Sequence, residues 1–241
     1  MDIGIQLYSV RDSMEKDFEG TLKAISELGY TSVEFAGFFG KTADEVNELL
    51  QKYNLKLSGT HSSLDDLLNN YEETVAFHKA IGNKHYIIPC CDLWSQEKLD
   101  SFVDIVNPLF DKLALNGITL GFHNHHKEFE MLENGEVVYE QLIYRTKLKL
   151  EIDAYWAFVG MKNPLGLLHR LKDRVHFVHI KDGLADGNGK PLGMGVAPVK
   201  EIVEKAKSLG IPMVVESETC NPSGLKEAEI CIDYLKSLEN M

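Results

Sequence analysis

Short apolar runs of strand length alternate with longer stretches of helical periodicity along the whole chain. The short runs predict strands near 2–7, 31–36, 55–60, 84–89, 118–123, 147–153, 175–180 and 211–216. The stretches between them predict helices near 15–28, 42–53, 66–81, 96–115, 135–145, 163–172, 198–208 and 223–238. Leu22, Ile25 and Leu28 mark one helical stripe, and Ile202, Val203, Ala206 and Leu209 mark another. Gly29, Gly82, Gly117 and Gly210 stand where a helix hands over to a strand, the place for a left-handed cap. Asn163-Pro164 reads as a cap residue followed by a first-turn proline, and Pro198 suggests a similar start.

Consecutive strand–helix units with short loops and no Ser/Gly/Pro-rich linker predict a single α/β domain over 1–241, a (β/α)8 TIM barrel. An open doubly wound sheet is the structural alternative. The length of 241 residues is close to the roughly 250 typical of such barrels. Hydrophobic residues make up 44% and charged residues 26%, enough for a large core and unlike a disordered chain. A net charge of -12 and the lack of any long Lys/Arg run argue against nucleic acid, which needs a basic footprint. No apolar run approaches the roughly 20 residues of a membrane helix. The segment Asp2-Ile3-Gly4-Ile5-Gln6-Leu7 alternates and does not read as a basic-then-apolar signal, so a cytoplasmic location is expected. The four cysteines form no C-x-x-C pair and are expected to be buried, reduced thiols. Periodicity does not assign outward helix faces to interfaces, which leaves a homo-oligomer open.

Barrels of this kind carry their chemistry at the C-terminal ends of the strands. Here the fifth strand runs into His123-Asn124-His125-His126, the sixth ends Glu151-Ile152-Asp153, the seventh ends His179-Ile180-Lys181-Asp182 and the eighth reaches Glu216. Alternation turns Leu120, Phe122, Leu150 and Ile152 toward the helices and His123, Glu151 and Asp153 toward the axis. Phe177 and His179 share a side in the seventh strand, as do Val214 and Glu216 in the eighth. His123, Asp153, His179 and Glu216 are thus offered to one central point. Mixed imidazole and carboxylate donors suit one divalent ion of the Mn, Zn, Fe or Co type more than a pure Mg site.

Around that set lie further candidates. His125 is an alternative ligand to His123, or an acid/base beside it. Glu34 and His61 are expected across the mouth, within reach of a bound polyol, unless Glu34 is an interior barrel carboxylate. Lys181 would polarise an oxygen or pair with Asp182. Tyr8 and Trp156 offer flat faces for a sugar, or pack in the core. Arg11 would hold an anionic group or form a surface ion pair. The glycine-rich loop 186–195 is expected to be a lid, with phosphate binding at its amides as the alternative.

These residues resemble the xylose isomerase-like TIM-barrel superfamily, the sugar phosphate isomerases/epimerases, over nearly the whole chain. The resemblance rests on Gly4-Ile5-Gln6-Leu7-Tyr8-Ser9-Val10-Arg11-Asp12, Leu28-Gly29-Tyr30 with Val33-Glu34, and Gly121-Phe122-His123-Asn124-His125 with Glu128-Phe129. Asp153-Ala154-Tyr155-Trp156 and His179-Ile180-Lys181-Asp182 complete it. It implies one divalent ion held from strands five to eight, commonly by Glu, Asp, His and Glu. Asp153, His179 and Glu216 match the last three, whereas His123 replaces the first glutamate of the ketose 3-epimerases. The proton exchange between two glutamates in those epimerases therefore does not carry over.

Together these readings predict a metal-dependent isomerase or epimerase acting on a small sugar or keto-sugar through an enediolate. Glu216, or a histidine of the His123–His125 pair, would remove the proton alpha to a carbonyl, with Lys181 close by. A dehydratase or lyase using the same site is the first alternative, and a sugar-binding barrel without catalysis the second.

Overall fold

The computed structural model describes residues 2–239. Its strands are β1 (Ile3–Gln6), β2 (Ser32–Phe35), β3 (Lys56–His61), β4 (His85–Ile88), β5 (Thr119–His123), β6 (Lys149–Asp153), β7 (Val175–Ile180) and β8 (Met213–Val215). Each runs parallel to its neighbours in sequence, and β8 returns to β1 through the pairs Ile3–Met213 and Ile5–Val215. This last pairing closes the barrel and removes the open-sheet alternative.

The outer helices are α1 (Phe18–Leu28), α2 (Ala43–Lys52), α3 (Tyr71–Ala80), α4 (Gln96–Ala114), α5 (Val138–Arg145), α6 (Pro164–Leu171), α7 (Val199–Leu209) and α8 (Gly224–Glu239). Local chemistry sets their ends. Asp17 accepts from the Gly20 amide, so α1 starts later than periodicity predicts. Asn163 Oδ1 accepts from the Leu165 and Gly166 amides ahead of α6, a cap contributing about 1 kcal/mol. Gly29 (φ 102°) and Gly210 (φ 67°) take the left-handed conformation that closes α1 and α7. Three expectations are corrected. The helix expected over 66–81 is two helices, Leu64–Asn69 and α3, because Asn70 (φ -137°, ψ 43°) leaves the helical region. Pro198 stands at the N-cap of α7 and not in its first turn. An extra helix, Ala154–Val159, follows β6 directly.

Leu120, Phe122, Leu150, Ile152, Val178 and Ile180 pack between barrel and helices, as alternation requires. Ile87, Phe177 and Val214 form a separate apolar layer inside the barrel. Two residues further along β7 and beyond β8, the same inward side carries His179 and Glu216. The cysteines depart from expectation: only Cys231 is buried, Cys91 and Cys220 are half-buried, and Cys90 is exposed. Among the described residues no helix is long and apolar enough to cross a membrane.

Candidate active site

Asp153 and His179 are register partners on β6 and β7, so their side chains leave the sheet side by side. His123 ends β5 one strand away, and Glu216 follows β8 with its amide bonded to the Ile180 carbonyl at 3.1 Å. The four meet above the apolar layer. His123 Nε2 lies 3.7 Å from Asp153 Oδ2 and 4.0 Å from Glu216 Oε2, and His179 Nδ1 lies 3.4 Å from Glu216 Oε2. Asp153 serves twice: Oδ1 accepts from the Trp156 amide at 2.8 Å and starts the Ala154–Val159 helix. Its Oδ2 is left buried without a partner, as is His123 Nε2.

Beneath this set lies a second polar layer. His179 Nε2 is 2.9 Å from Glu34 and 3.2 Å from Glu151, and His61 Nε2 is 2.5 Å from Glu151. Gln6 Nε2 donates to Glu34 at 2.8 Å. Both carboxylates sit at register shifts, Val33/Glu34 in β2–β3 and Leu150/Glu151 in β6–β7. Such irregularities re-aim side chains. Gly59 makes room for Glu34, since a Cβ there would come within 3.1 Å of Glu34 Oε1. Glu34 is 0% exposed, so it does not face the mouth as the strand-end reading proposed; it braces His179 from below.

Burial and neighbouring charge divide the ionisable groups. Burial pulls His123 down to about 3, reinforced by the His179 and His61 rings, and His125 down to about 4. Both imidazoles are therefore neutral at pH 7. Burial pushes Asp153 up to about 6, and burial with the Glu151 charge pushes Glu34 up to about 7. Burial also opposes ionisation of Glu216, but Lys181 and His179 outweigh it and hold that carboxyl well below its ordinary range. Glu151 is held down in the same way by His179 and His61.

Lys181 is 1% exposed, and its ammonium donates to Glu216 at 3.3 Å and to Glu218. Asp182, its expected partner, is spent elsewhere. Its carboxylate accepts from the amides of Gly183, Gly193, Gly195 and Ala197, tying down the base of the glycine-rich loop. Amides already engaged by a carboxylate do not receive a phosphate, and a loop fixed at these points is not built as a swinging lid. The loop instead forms a hairpin, Asp182–Gly183 with Gly189–Lys190.

A cavity of about 360 Å³ opens over the site, lined among others by Tyr8, His61, His123, His125, Glu216 and Glu218. Trp156 stands behind this wall, with its ring 4.6 Å from Lys181 Nζ and 5.8 Å from the His125 ring. Arg11 lies at the rim, and among the described residues its guanidinium is engaged by backbone carbonyls. Its guanidinium donates to the carbonyls of Tyr8 and Glu218 at 2.8 and 2.7 Å, bridging the loops after β1 and β8. Glu151 and Glu218 were absent from the predicted site. Glu151 was legible as an inward residue of β6, but nothing local distinguished it from barrel filling. Glu218 lies beyond the strand, where alternation carries no information.

The donor atoms fit a divalent ion. Metal–N and metal–O bonds of about 2.1 Å place neighbouring ligand atoms roughly 3.0–3.4 Å apart; the spacings here, 3.4, 3.7 and 4.0 Å, start at that range and run wider, so the side chains would draw in slightly around an ion. The four ligand atoms all lie within 4.8 Å of one another, and two of them are buried and unpartnered. His61, His123, Glu151 and His179 also converge. In that deeper group, however, the His61 and His179 Nε2 atoms already face Glu151 and Glu34, and His123 Nε2 would have to serve both sets. The upper set is the better fit, with Glu34 and Glu151 orienting His179 through its other nitrogen. His123 belongs to it, and His125 to neither group.

The model of the family described as xylose isomerase-like TIM barrel matches residues 22–239. A sugar phosphate isomerase/epimerase from Parabacteroides distasonis superposes with a TM-score of 0.84 at 23% identity, covering 98% of this chain and 97% of that one. The probable 3-DHS dehydratase AsbF of Bacillus anthracis superposes with a TM-score of 0.76 at 14% identity, covering 98% and 99%. In sequence, the inosose dehydratase of Geobacillus kaustophilus is 24% identical over 191 residues, which span 67% of this chain and 60% of that protein.

Proposed function

We propose, for a chain that belongs to the xylose isomerase-like TIM-barrel family, that this site transfers a proton next to a carbonyl of a sugar or keto-sugar, as an isomerase or epimerase. The observation that carries the reading is the pair of buried, unpartnered atoms His123 Nε2 and Asp153 Oδ2 aimed beside Glu216. A divalent ion held by His123, Asp153, His179 and Glu216 would supply Lewis-acid polarisation of the carbonyl. The chain's own groups do the rest. Glu216, kept ionised by Lys181 and His179, is placed to accept the alpha proton. The neutral His125 ring faces the same cavity and would accept a proton from a substrate hydroxyl, while the proton taken by Glu216 is the one returned to carbon. Lys181 holds Glu216 and Glu218 together and stabilises negative charge developing near them. The His61–Glu151–His179–Glu34 layer fixes the ring orientations above it.

Incubating the protein with Mn²⁺ and a panel of ketoses in D₂O tests this by NMR. Deuterium entering carbon next to the carbonyl, and lost in Glu216→Gln, is the expected result. Unchanged exchange in Glu216→Gln would remove Glu216 as the base.

A dehydratase is the second reading, favoured by the buried Lys181 ammonium, a proton donor within the site, and by the inosose dehydratase relative. Release of water from the substrate, seen as a conjugated product, separates it from exchange without elimination.

A further inference from the structure

On the side of β2 and β3, the mouth cavity adjoins a second and larger one. Ala36 and His61 line both. The second cavity, about 580 Å³, runs outward between the loop after β2 and the Leu64–Asn69 and α3 helices. Small-molecule sites span roughly 300–1,000 Å³, so the mouth alone lies near the lower end of that range. The groove beside it adds more room than the reacting part of a single sugar ring would use.

The loop that forms one wall carries a strained backbone and a half-exposed aromatic residue at one position. In Gly37-Phe38-Phe39-Gly40, Phe38 is anchored, with ring centroids 5.1 Å from Phe35 and 4.6 Å from Phe77. Phe39 is held less firmly, its ring meeting the edge of Phe18 at a centroid distance of 5.9 Å. It adopts a left-handed backbone (φ 52°), which costs a bulky L-residue about 1–2 kcal/mol, and the residue stays 48% exposed. Strained residues of this kind gather at ligand clamps. The groove's polar groups suit a neutral polyol. Asp66, Glu73, Asn70 and Thr74 offer hydrogen-bond partners beside the aromatic faces of Phe39 and Phe77. Among the described lining residues the single ammonium, Lys41, is held by Glu45 at 3.1 Å, so a phosphate meets no uncommitted cation there.

We propose that this groove is a subsite for a second, unphosphorylated sugar ring, and that the substrate is a disaccharide or glycoside. Its reacting ring then lies over His123 and Glu216, and its other ring lies against Phe39. The proposal rests on the reading of the mouth as a sugar site. Remote binding of this kind raises turnover by positioning the reacting ring.

Calorimetry on the purified protein, with cellobiose, maltose and sucrose against glucose, fructose and glucose 6-phosphate, tests it. At least one neutral disaccharide is expected to bind tenfold or more tightly than its component hexoses. Phe39→Ala is expected to remove at least fivefold of that gain while leaving hexose affinity unchanged, and Asn70→Ala to act in the same direction. Disaccharide affinities within twofold of the hexoses, equal weakening of both by Phe39→Ala, or tighter binding of glucose 6-phosphate would each overturn it. Hexose binding with proton exchange but no disaccharide gain removes the groove subsite alone. A Phe39-dependent disaccharide gain without proton exchange on any sugar removes the proton-transfer reading alone. Absence of binding by all six sugars overturns both.

Discussion

The Nε2 atom of His179 lies 2.9 Å from Oε2 of Glu34, and neither side chain has any exposure to solvent. The opposite ring nitrogen faces Glu216 at 3.4 Å. A carboxylate behind an imidazole fixes its tautomer and turns the other nitrogen toward an ion. Glu34→Gln keeps the shape but removes the charge that Glu34 takes on as pH rises through about 7, so the comparison is made at pH 8. It is expected to weaken Mn²⁺ binding about 10–100-fold, measured by calorimetry, with the melting temperature little changed. Unaltered affinity would show that Glu34 only fills the barrel.

His123 and His125 are two residues apart, yet only His123 converges with Asp153, His179 and Glu216. His123→Ala is therefore expected to abolish retention of added Mn²⁺ on gel filtration, whereas His125→Ala retains it. Elemental analysis of the eluted protein reads the outcome directly. Loss of metal in His125→Ala alone would reverse the assignment.

At the inner wall of the second cavity, His78 reports on pH. Asn83 Nδ2 lies 3.0 Å from its Nδ1 and donates there, which fits a neutral ring, and burial pulls the imidazole down to about 4 from 6.5. The unfolded chain then takes up its proton first as pH falls. The stability contribution is complete above about 6.5 and is lost as pH drops toward 4, amounting to ~3 kcal/mol at most. Urea titrations at pH 7 and pH 4.5 should show this loss, and His78→Phe should flatten it. An equal slope in the variant would assign the effect to other groups.

Glu227 holds the loop that carries Glu216 and Glu218. Fully buried on α8, it accepts from Ser217 Oγ at 2.6 Å, from the Asn221 amide at 2.9 Å and from the Thr219 hydroxyl. Glu227→Ala leaves those donors without an acceptor and is expected to cost about 2–3 kcal/mol in urea unfolding. Hydrogen exchange at 217–221 should rise with it.

Asp182 gives a related expectation for the glycine-rich loop. Its carboxylate accepts the Gly193 and Gly195 amides at 2.9 Å each. These amides should be protected from exchange in the native protein and unprotected in Asp182→Ala. Fast exchange already in the native protein would restore the view of a mobile lid.

Local pattern determined a good deal of this protein. The alternation of short apolar runs with helical stripes specified the strands, the barrel and the helix caps at Gly29, Gly210 and Asn163. Parity along each strand is a local property, so the inward placement of His123, Asp153, His179 and Glu216 was legible too. The tertiary structure decided what parity leaves free. Strands in a barrel are staggered, and the height of one side chain beside another depends on register and on shifts such as those at Glu34 and Glu151. Those shifts put Glu34 beneath His179 and not at the mouth. Loops have no period at all, so the partners of Lys181, the carbonyls that hold Arg11, and the convergence of His123 but not His125 with the other three donors depend on packing between segments far apart in the chain. Convergence of the four donors was foreshadowed by the strand ends; the layer that supports them was not.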